Sequence, residues 1–112
     1  MVQIWLDDYR DPKDHGYPDA LWCKTYEEWL DFTELNGNPF DQVEYIHLDH
    51  DLGTENTGYN ALVDIECMLV DGWWKCLKRI YIHTSNPSAA NKMMLAKESM
   101  ARYGVQMVRK HY

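Results

Sequence analysis

Short, almost wholly apolar runs alternate along this chain with stretches whose apolar residues recur at helical spacing. Residues 2–6 read as a buried strand, because the run is almost wholly apolar rather than alternating, and residues 43–48 read as the next strand. Residues 79–83 and 105–108 read the same way, and 20–24 as a weaker strand. Thr25-Tyr26-Glu27-Glu28 has the capping-box pattern and predicts a helix to about Leu35, with Trp29, Leu30 and Phe32 inward. Asn36-Gly37-Asn38-Pro39 ends that helix. Over residues 58–70, Leu62, Ile65, Met68 and Leu69 recur at helical spacing, and Asp71-Gly72 closes the element. Asn86-Pro87 predicts an N-cap and first helical residue. Met93, Met94, Ala96, Lys97 and Met100 carry this last helix to Tyr103, where Gly104 caps it. Residues 7–19, rich in Asp, Pro and Gly, read as loop.

This alternation predicts an α/β fold: a three-layer, doubly wound parallel sheet with right-handed crossovers. Five strands in the flavodoxin-like order 2-1-3-4-5 would make the first and third strands neighbours at the switch point. With 112 residues the chain is read as one domain, 1–112, large enough for a single core. No repeat, linker or low-complexity segment interrupts it.

Three polar clusters fall where apolar runs end. Asp7-Asp8 follows the first strand, Asp49-His50-Asp51 the third, and His83-Thr84-Ser85-Asn86-Pro87 the fourth. In an open parallel sheet those carboxyl ends line one crevice, where ligands bind. Asp7, Asp8, Asp49 and Asp51 brought together must take up a proton or a cation. Hard oxygen donors suit Mg²⁺ or Mn²⁺, and the histidines would widen the choice towards Fe or Zn²⁺. The plainer alternative is that Asp7 and Asp8 cap loop amides.

Ser85 and Asn86 lead into a helix N-terminus, which favours an anion, and Thr84 or Ser85 can bond a phosphoryl oxygen. An ordinary Asn/Ser cap is the alternative. Thr57-Gly58 would bring a second set of backbone N–H groups to the same rim. His83 is placed to act as general acid or base. His47, inside a strand, reads as a core histidine, and His50 as either a site residue or a loop anchor. Arg10 either grips a phosphate or pairs with Asp8 or Asp51. Trp73-Trp74 reads as a lid on the core.

Charge narrows the partners. A net charge of −7 argues against duplex nucleic acid and anionic lipid, so a phosphate would be met through a cation. No apolar run approaches the ~18 residues that span a bilayer, and the start lacks a leader pattern. Cys23, Cys67 and Cys76 are scattered, which suggests reduced, mostly buried thiols in a cytoplasmic protein. Oligomeric state leaves no mark on the sequence.

The motifs resemble a known family. Trp5-Leu6-Asp7-Asp8-Tyr9-Arg10-Asp11-Pro12 matches the opening (W/Y)-L-D-D-x-R-x-P. Leu48-Asp49-His50-Asp51-Leu52-Gly53, with Thr57-Gly58-Tyr59 after it, matches L-D-H-D-L-G and T-G-Y. His83-Thr84-Ser85-Asn86-Pro87-Ser88 resembles H-(S/T)-x-N-P-x-G. These patterns resemble those of the cyclic-phosphate-processing receiver-like domains, compact relatives of response-regulator receivers tied to RNA repair, NAD-derived metabolites and conflict systems. The resemblance implies that Asp7, Asp8 and Asp49 bind the metal, and that His50 and Asp51 are the family's additions. It also implies that His83 with Thr84 or Ser85 takes the receiver's hydroxyl position. Ala89-Ala90 stands in place of the usual glycine, and Lys110, with no proline after it, is the one candidate for the strand-five lysine.

Two functions follow as expectations. The first is a metal-dependent phosphoesterase that opens a nucleoside 2′,3′-cyclic phosphate, an RNA 2′,3′-cyclic end or ADP-ribose 1″,2″-cyclic phosphate. Here Asp7, Asp8 and Asp49 hold the cation, and Asp49, Asp51 and His83 are catalytic. Arg10, His50, Thr57, Gly58, Thr84, Ser85 and Asn86 contact the substrate. The second is a non-catalytic module that sequesters a phosphorylated nucleotide or accepts a phosphoryl group on Asp49.

Overall fold

A computed structural model describes residues 2–35, 42–50 and 57–110. The strands are β1 (Val2–Leu6), β2 (Leu21–Cys23), β3 (Val43–Leu48), β4 (Arg79–Ile82) and β5 (Gln106–Arg109). The helices are α1 (Tyr26–Leu35), α2 (Gly58–Val70), α3 (Pro87–Met94) and α4 (Lys97–Ala101). All strand pairings are parallel and the order is β2-β1-β3-β4-β5, as the alternation predicts.

Crossover handedness decides what covers each face. The connections β2-α1-β3, β3-α2-β4 and β4-α3-α4-β5 all move the same way across the sheet, so right-handed crossovers put all four helices on one face. There Trp29, Leu62, Ile65, Met93 and Met100 bury against Ile4, Leu6, Ile46, Leu48, Ile80 and Ile82. Only the β1-to-β2 connection runs the other way, and its Asp, Pro and Gly residues form a 3-10 turn, Pro12–His15. The third layer is therefore thin among the described residues. On that face Trp5 stacks with His83 (4.6 Å between ring centroids) and with His15 (5.7 Å), and His47 stacks with Tyr81 (4.8 Å).

Local differences have local causes. Thr25 caps α1 by accepting from the Glu28 N–H (3.0 Å), but Glu28 reaches back to the Lys24 N–H, one residue earlier than a capping box requires. The helix expected from Asn86 to Tyr103 is two helices. At Leu95 and Ala96 the N–H groups bond three residues back, to Lys92 and Met93, and this tightening interrupts the ladder. Trp74 lids the core, stacked 5.8 Å from Trp29, while Trp73 is 40% exposed. Cys67 and Cys76 are exposed and only Cys23 is buried, because Cys67 points away from the face carrying Leu62, Ile65 and Leu69. Among the described residues no helix is long and apolar enough to cross a membrane.

Candidate functional site

The parallel ladder continues one residue beyond the strands and lines up the chemistry. The Asp7 N–H donates to the Cys23 carbonyl (3.1 Å), that of Asp49 to Leu6 (2.9 Å), that of His83 to Leu48 (3.0 Å) and that of Lys110 to Ile82 (2.8 Å). The carboxyl ends of β1, β3, β4 and β5 thus present Asp7, Asp49, His83 and Lys110 side by side. Carboxylate oxygens of Asp7, Asp8 and Asp49 lie within 4.8 Å of one another; Asp7 and Asp49 are buried and Asp8 is exposed.

Asp7 organises the turn after β1. Its Oδ1 accepts from the backbone N–H groups of Tyr9 (2.9 Å) and Arg10 (3.0 Å), so the amide-capping alternative holds for that oxygen. Its Oδ2 accepts from His83 Nε2 (3.0 Å) and Arg10 Nη1 (3.3 Å). Two indoles hold the same turn from outside: Trp22 Nε1 donates to the Asp7 carbonyl (2.7 Å) and Trp5 Nε1 to the Arg10 carbonyl (2.9 Å). Burial pushes the Asp7 pKa up, but the His83 bond and the two turn amides outweigh it, and the pKa ends below the usual value. Asp7 is therefore an anion held by four donors.

Arg10 pairs differently from either expected partner. Its Nη1 bridges Asp7 Oδ2 (3.3 Å) and Asp49 Oδ2 (3.5 Å), because the Asp7 turn folds the side chain back over the strand ends. Asp51 lies outside the described residues. Three hard carboxylates with a guanidinium nitrogen already between two of them fit a divalent cation: a positive charge is what this cluster calls for.

His83 is almost completely buried. Burial lowers its pKa more than Asp7 raises it, so the ring is neutral near pH 7 and its Nε2–H donates to Asp7. That placement differs from a proton donor open to the crevice. The ring is packed under Trp5, and its link to the site runs through Asp7. His47 is the core histidine expected: its Nε2 bonds Gln3 Oε1 (3.0 Å), while its Nδ1 is buried with no partner among the described residues.

The rim residues are more self-contained than their sequence context implies. Thr57 Oγ1 accepts from the Tyr59 N–H and Thr57 N–H donates to Asn60 Oδ1, a closed capping box. Gly58 N–H donates to the His50 carbonyl (3.0 Å). Neither amide is left for a phosphate, which corrects that expectation. The His50 side chain is half-buried, and its backbone joins α2 to the end of β3. Thr84 is buried and its Oγ1 accepts from the Asn86 N–H (3.2 Å). Asn86 Oδ1 caps the Ala89 N–H (3.2 Å), while Ser85 and Asn86 are exposed at the rim. With Pro87 first in α3 and Ala89 already capped, this terminus offers fewer donors than an uncapped helix would.

The turn-holding roles of Trp5, a motif residue, and of Trp22 are what sequence reasoning missed, since an indole N–H gripping a loop carbonyl leaves no periodic signal. Lys110 follows β5 directly, and its Nζ lies 5.2 Å from the Tyr81 ring centroid. A groove of about 330 Å³ between α2 and α3–α4, lined by Tyr59, Leu62, Glu66 and Lys92, contains none of the site residues.

No curated protein and no solved structure matches the chain. The family model of the cyclic-phosphate processing receiver domain matches residues 2–99, spanning β1 to α4 and every described site residue except Lys110, and the chain belongs to that family.

Proposed function

We propose that this receiver-like domain is a metal-assisted phosphoesterase that opens a small cyclic phosphate. The substrate class is a nucleoside or RNA 2′,3′-cyclic phosphate or an ADP-ribose 1″,2″-cyclic phosphate. The observation that carries the reading is the convergence of Asp7, Asp8 and Asp49 within 4.8 Å at the switch point of a domain tied to cyclic-phosphate processing. These three would hold Mg²⁺ or Mn²⁺, which when bound neutralises phosphoryl charge and activates a water.

The chain's own residues supply the rest. Asp7, fixed by four donors, orients its neighbours, and His83 positions Asp7. Ser85 and Asn86, at the exposed start of α3, face phosphoryl oxygens, joined by the Ser88 N–H, since Pro87 has none and that of Ala89 is capped. In the hydrolytic route water gives up a proton to Asp51 as its oxygen bonds to phosphorus, the ring P–O bond breaks, and the leaving alkoxide takes that proton from Asp51. In the covalent variant Asp49 attacks phosphorus, the ring opens, and water then cleaves the aspartyl phosphate.

A second reading has its own support. His83 is buried and committed to Asp7, so it does not face a substrate as a general acid. That favours a module that binds a phosphorylated nucleotide, or takes a phosphoryl group on Asp49, without turnover.

Incubating the protein with a panel of cyclic phosphates and Mg²⁺, Mn²⁺ or EDTA, beside Asp49→Asn, separates the two. Metal-dependent gain of one water by a substrate, lost in the mutant, is the expected mass-spectrometric result. Unchanged nucleotides with a raised melting temperature would replace the esterase with the binding module. Full activity in Asp49→Asn would overturn both routes.

A further inference from the structure

We infer that Arg10 is a built-in counter-ion occupying the cation position of this site, and that a divalent cation and the Arg10 guanidinium bind Asp7 and Asp49 in mutual exclusion. The inference rests on the metal reading above and deepens it.

A carboxylate offers about four lone-pair positions. Asp7 has all four committed: Tyr9 and Arg10 amides on Oδ1, His83 Nε2 and Arg10 Nη1 on Oδ2. A metal that takes Asp7 as ligand must displace one of them. The two amide bonds define the turn itself, and the His83 bond is short at 3.0 Å between buried groups. The Arg10 Nη1 contact is the longest at 3.3 Å, is made by a long, partly exposed side chain where His83 is fully buried, and is shared with Asp49 at 3.5 Å. It is the contact that yields.

Like charges point the same way. A divalent cation at Asp7 and Asp49 would stand in the space now filled by the guanidinium, and two positive charges there repel. The Arg10 carbonyl stays tied to Trp5 Nε1 (2.9 Å), so only the side chain need swing. It swings from a fixed root at the crevice edge, where the guanidinium becomes free to grip a phosphate bidentately. Without metal the guanidinium thereby offsets part of the cluster's negative charge, with the phosphate-binding arginine folded away. Metal binding would create the phosphate site.

The test follows Mg²⁺ alone. Guanidinium ¹⁵N resonances of the wild-type protein, assigned with Arg10→Lys, are recorded through a Mg²⁺ titration. Calorimetry then compares Mg²⁺ affinity in the wild type, Arg10→Gln and Arg10→Lys, with circular dichroism to verify that each is folded. Inorganic phosphate is titrated with and without Mg²⁺. The Arg10 signal is expected to leave its salt-bridged position as Mg²⁺ saturates. Arg10→Gln should bind Mg²⁺ about tenfold more tightly, as for a latch closed nine-tenths of the time. Mg²⁺ should raise phosphate affinity in the wild type more than in Arg10→Gln. Saturating Mg²⁺ with an unmoved Arg10 signal overturns the latch and leaves the phosphoesterase reading standing. Failure of Mg²⁺ to bind any of the three proteins overturns both.

Discussion

The carbonyl oxygen of Asp49 lies 1.8 Å from where a Cβ on Gly58 would stand, with the Asp49 carbonyl carbon 2.7 Å away. The start of α2 is thus pressed against the carboxyl end of β3 at the residue that bears a central site carboxylate. Gly58 N–H closes the contact by donating to the His50 carbonyl (3.0 Å). The glycine serves the approach of helix to strand; its φ lies outside the left-handed region.

Gly58→Ala must therefore move α2 or β3, since the obstructing atoms are backbone. We expect destabilisation at or above the upper end of the about 1–3 kcal/mol typical of overpacking. Urea unfolding measures it, and Mg²⁺ calorimetry should show weakened binding because Asp49 moves with the strand end. A variant as stable as wild type would mean that helix and strand can separate freely.

Trp74 sets two effects against each other. Its φ of 59° is left-handed, yet the side chain is buried and stacks on Trp29 at 5.8 Å. Trp74→Gly would relieve about 1–2 kcal/mol of backbone strain. It would also remove a buried indole, a change that costs about 3–5 kcal/mol when truncated. Packing wins, and a net loss of about 1–4 kcal/mol in chemical denaturation is expected. A stabilised glycine variant would show that strain dominates.

His47 gives stability a pH dependence. Burial first, then the neighbouring His83 and Lys110, lower its pKa from 6.5 to about 3. The unfolded chain then binds a proton between those values that the folded chain refuses. Its contribution is present above pH 6.5 and is lost as pH falls towards 3, at up to about 1.4 kcal/mol per pH unit. His47→Phe keeps the ring that stacks on Tyr81 (4.8 Å) but cannot titrate. Denaturation midpoints at pH 7 and pH 5 should differ less in the variant, and equal differences would refute the assignment.

How much of this was legible depended on whether the signal was local. The strands and their endpoints follow from apolar runs; the order 2-1-3-4-5 comes from likeness to flavodoxin-like sheets, and with it parallel register carries Asp7, Asp49 and His83 to one edge. The one-sided placement of the helices was implicit in the same order, because crossovers in one direction share a face. The break between α3 and α4 was not legible: Ala96 makes no side-chain cap, and the tightened bonds at Leu95 and Ala96 involve backbone alone. Nor were the partners of Arg10. Asp8 and Asp51 are nearer in spirit to a sequence reader, but the turn around Asp7 Oδ1 aims the guanidinium at Asp7 and Asp49.

Asp7 and Asp49 should also separate when each is changed to the isosteric amide. Asn at position 7 keeps one acceptor oxygen and turns an NH₂ towards two of the four donors that now bond the carboxylate. Removing a buried charge from such a set costs about 3 kcal/mol or more, so Asp7→Asn is a stability mutant as well as a site mutant. Asp49 has a looser bond to Arg10, 3.5 Å, and stands beside two other carboxylates whose repulsion its neutralisation relieves. Asp49→Asn should cost less stability than Asp7→Asn while Mg²⁺ binding falls sharply. Urea denaturation and calorimetry on the two variants test the pair. Equal losses of stability would mean that Asp49, like Asp7, holds the turn together, and its place as a dedicated ligand or nucleophile would be withdrawn.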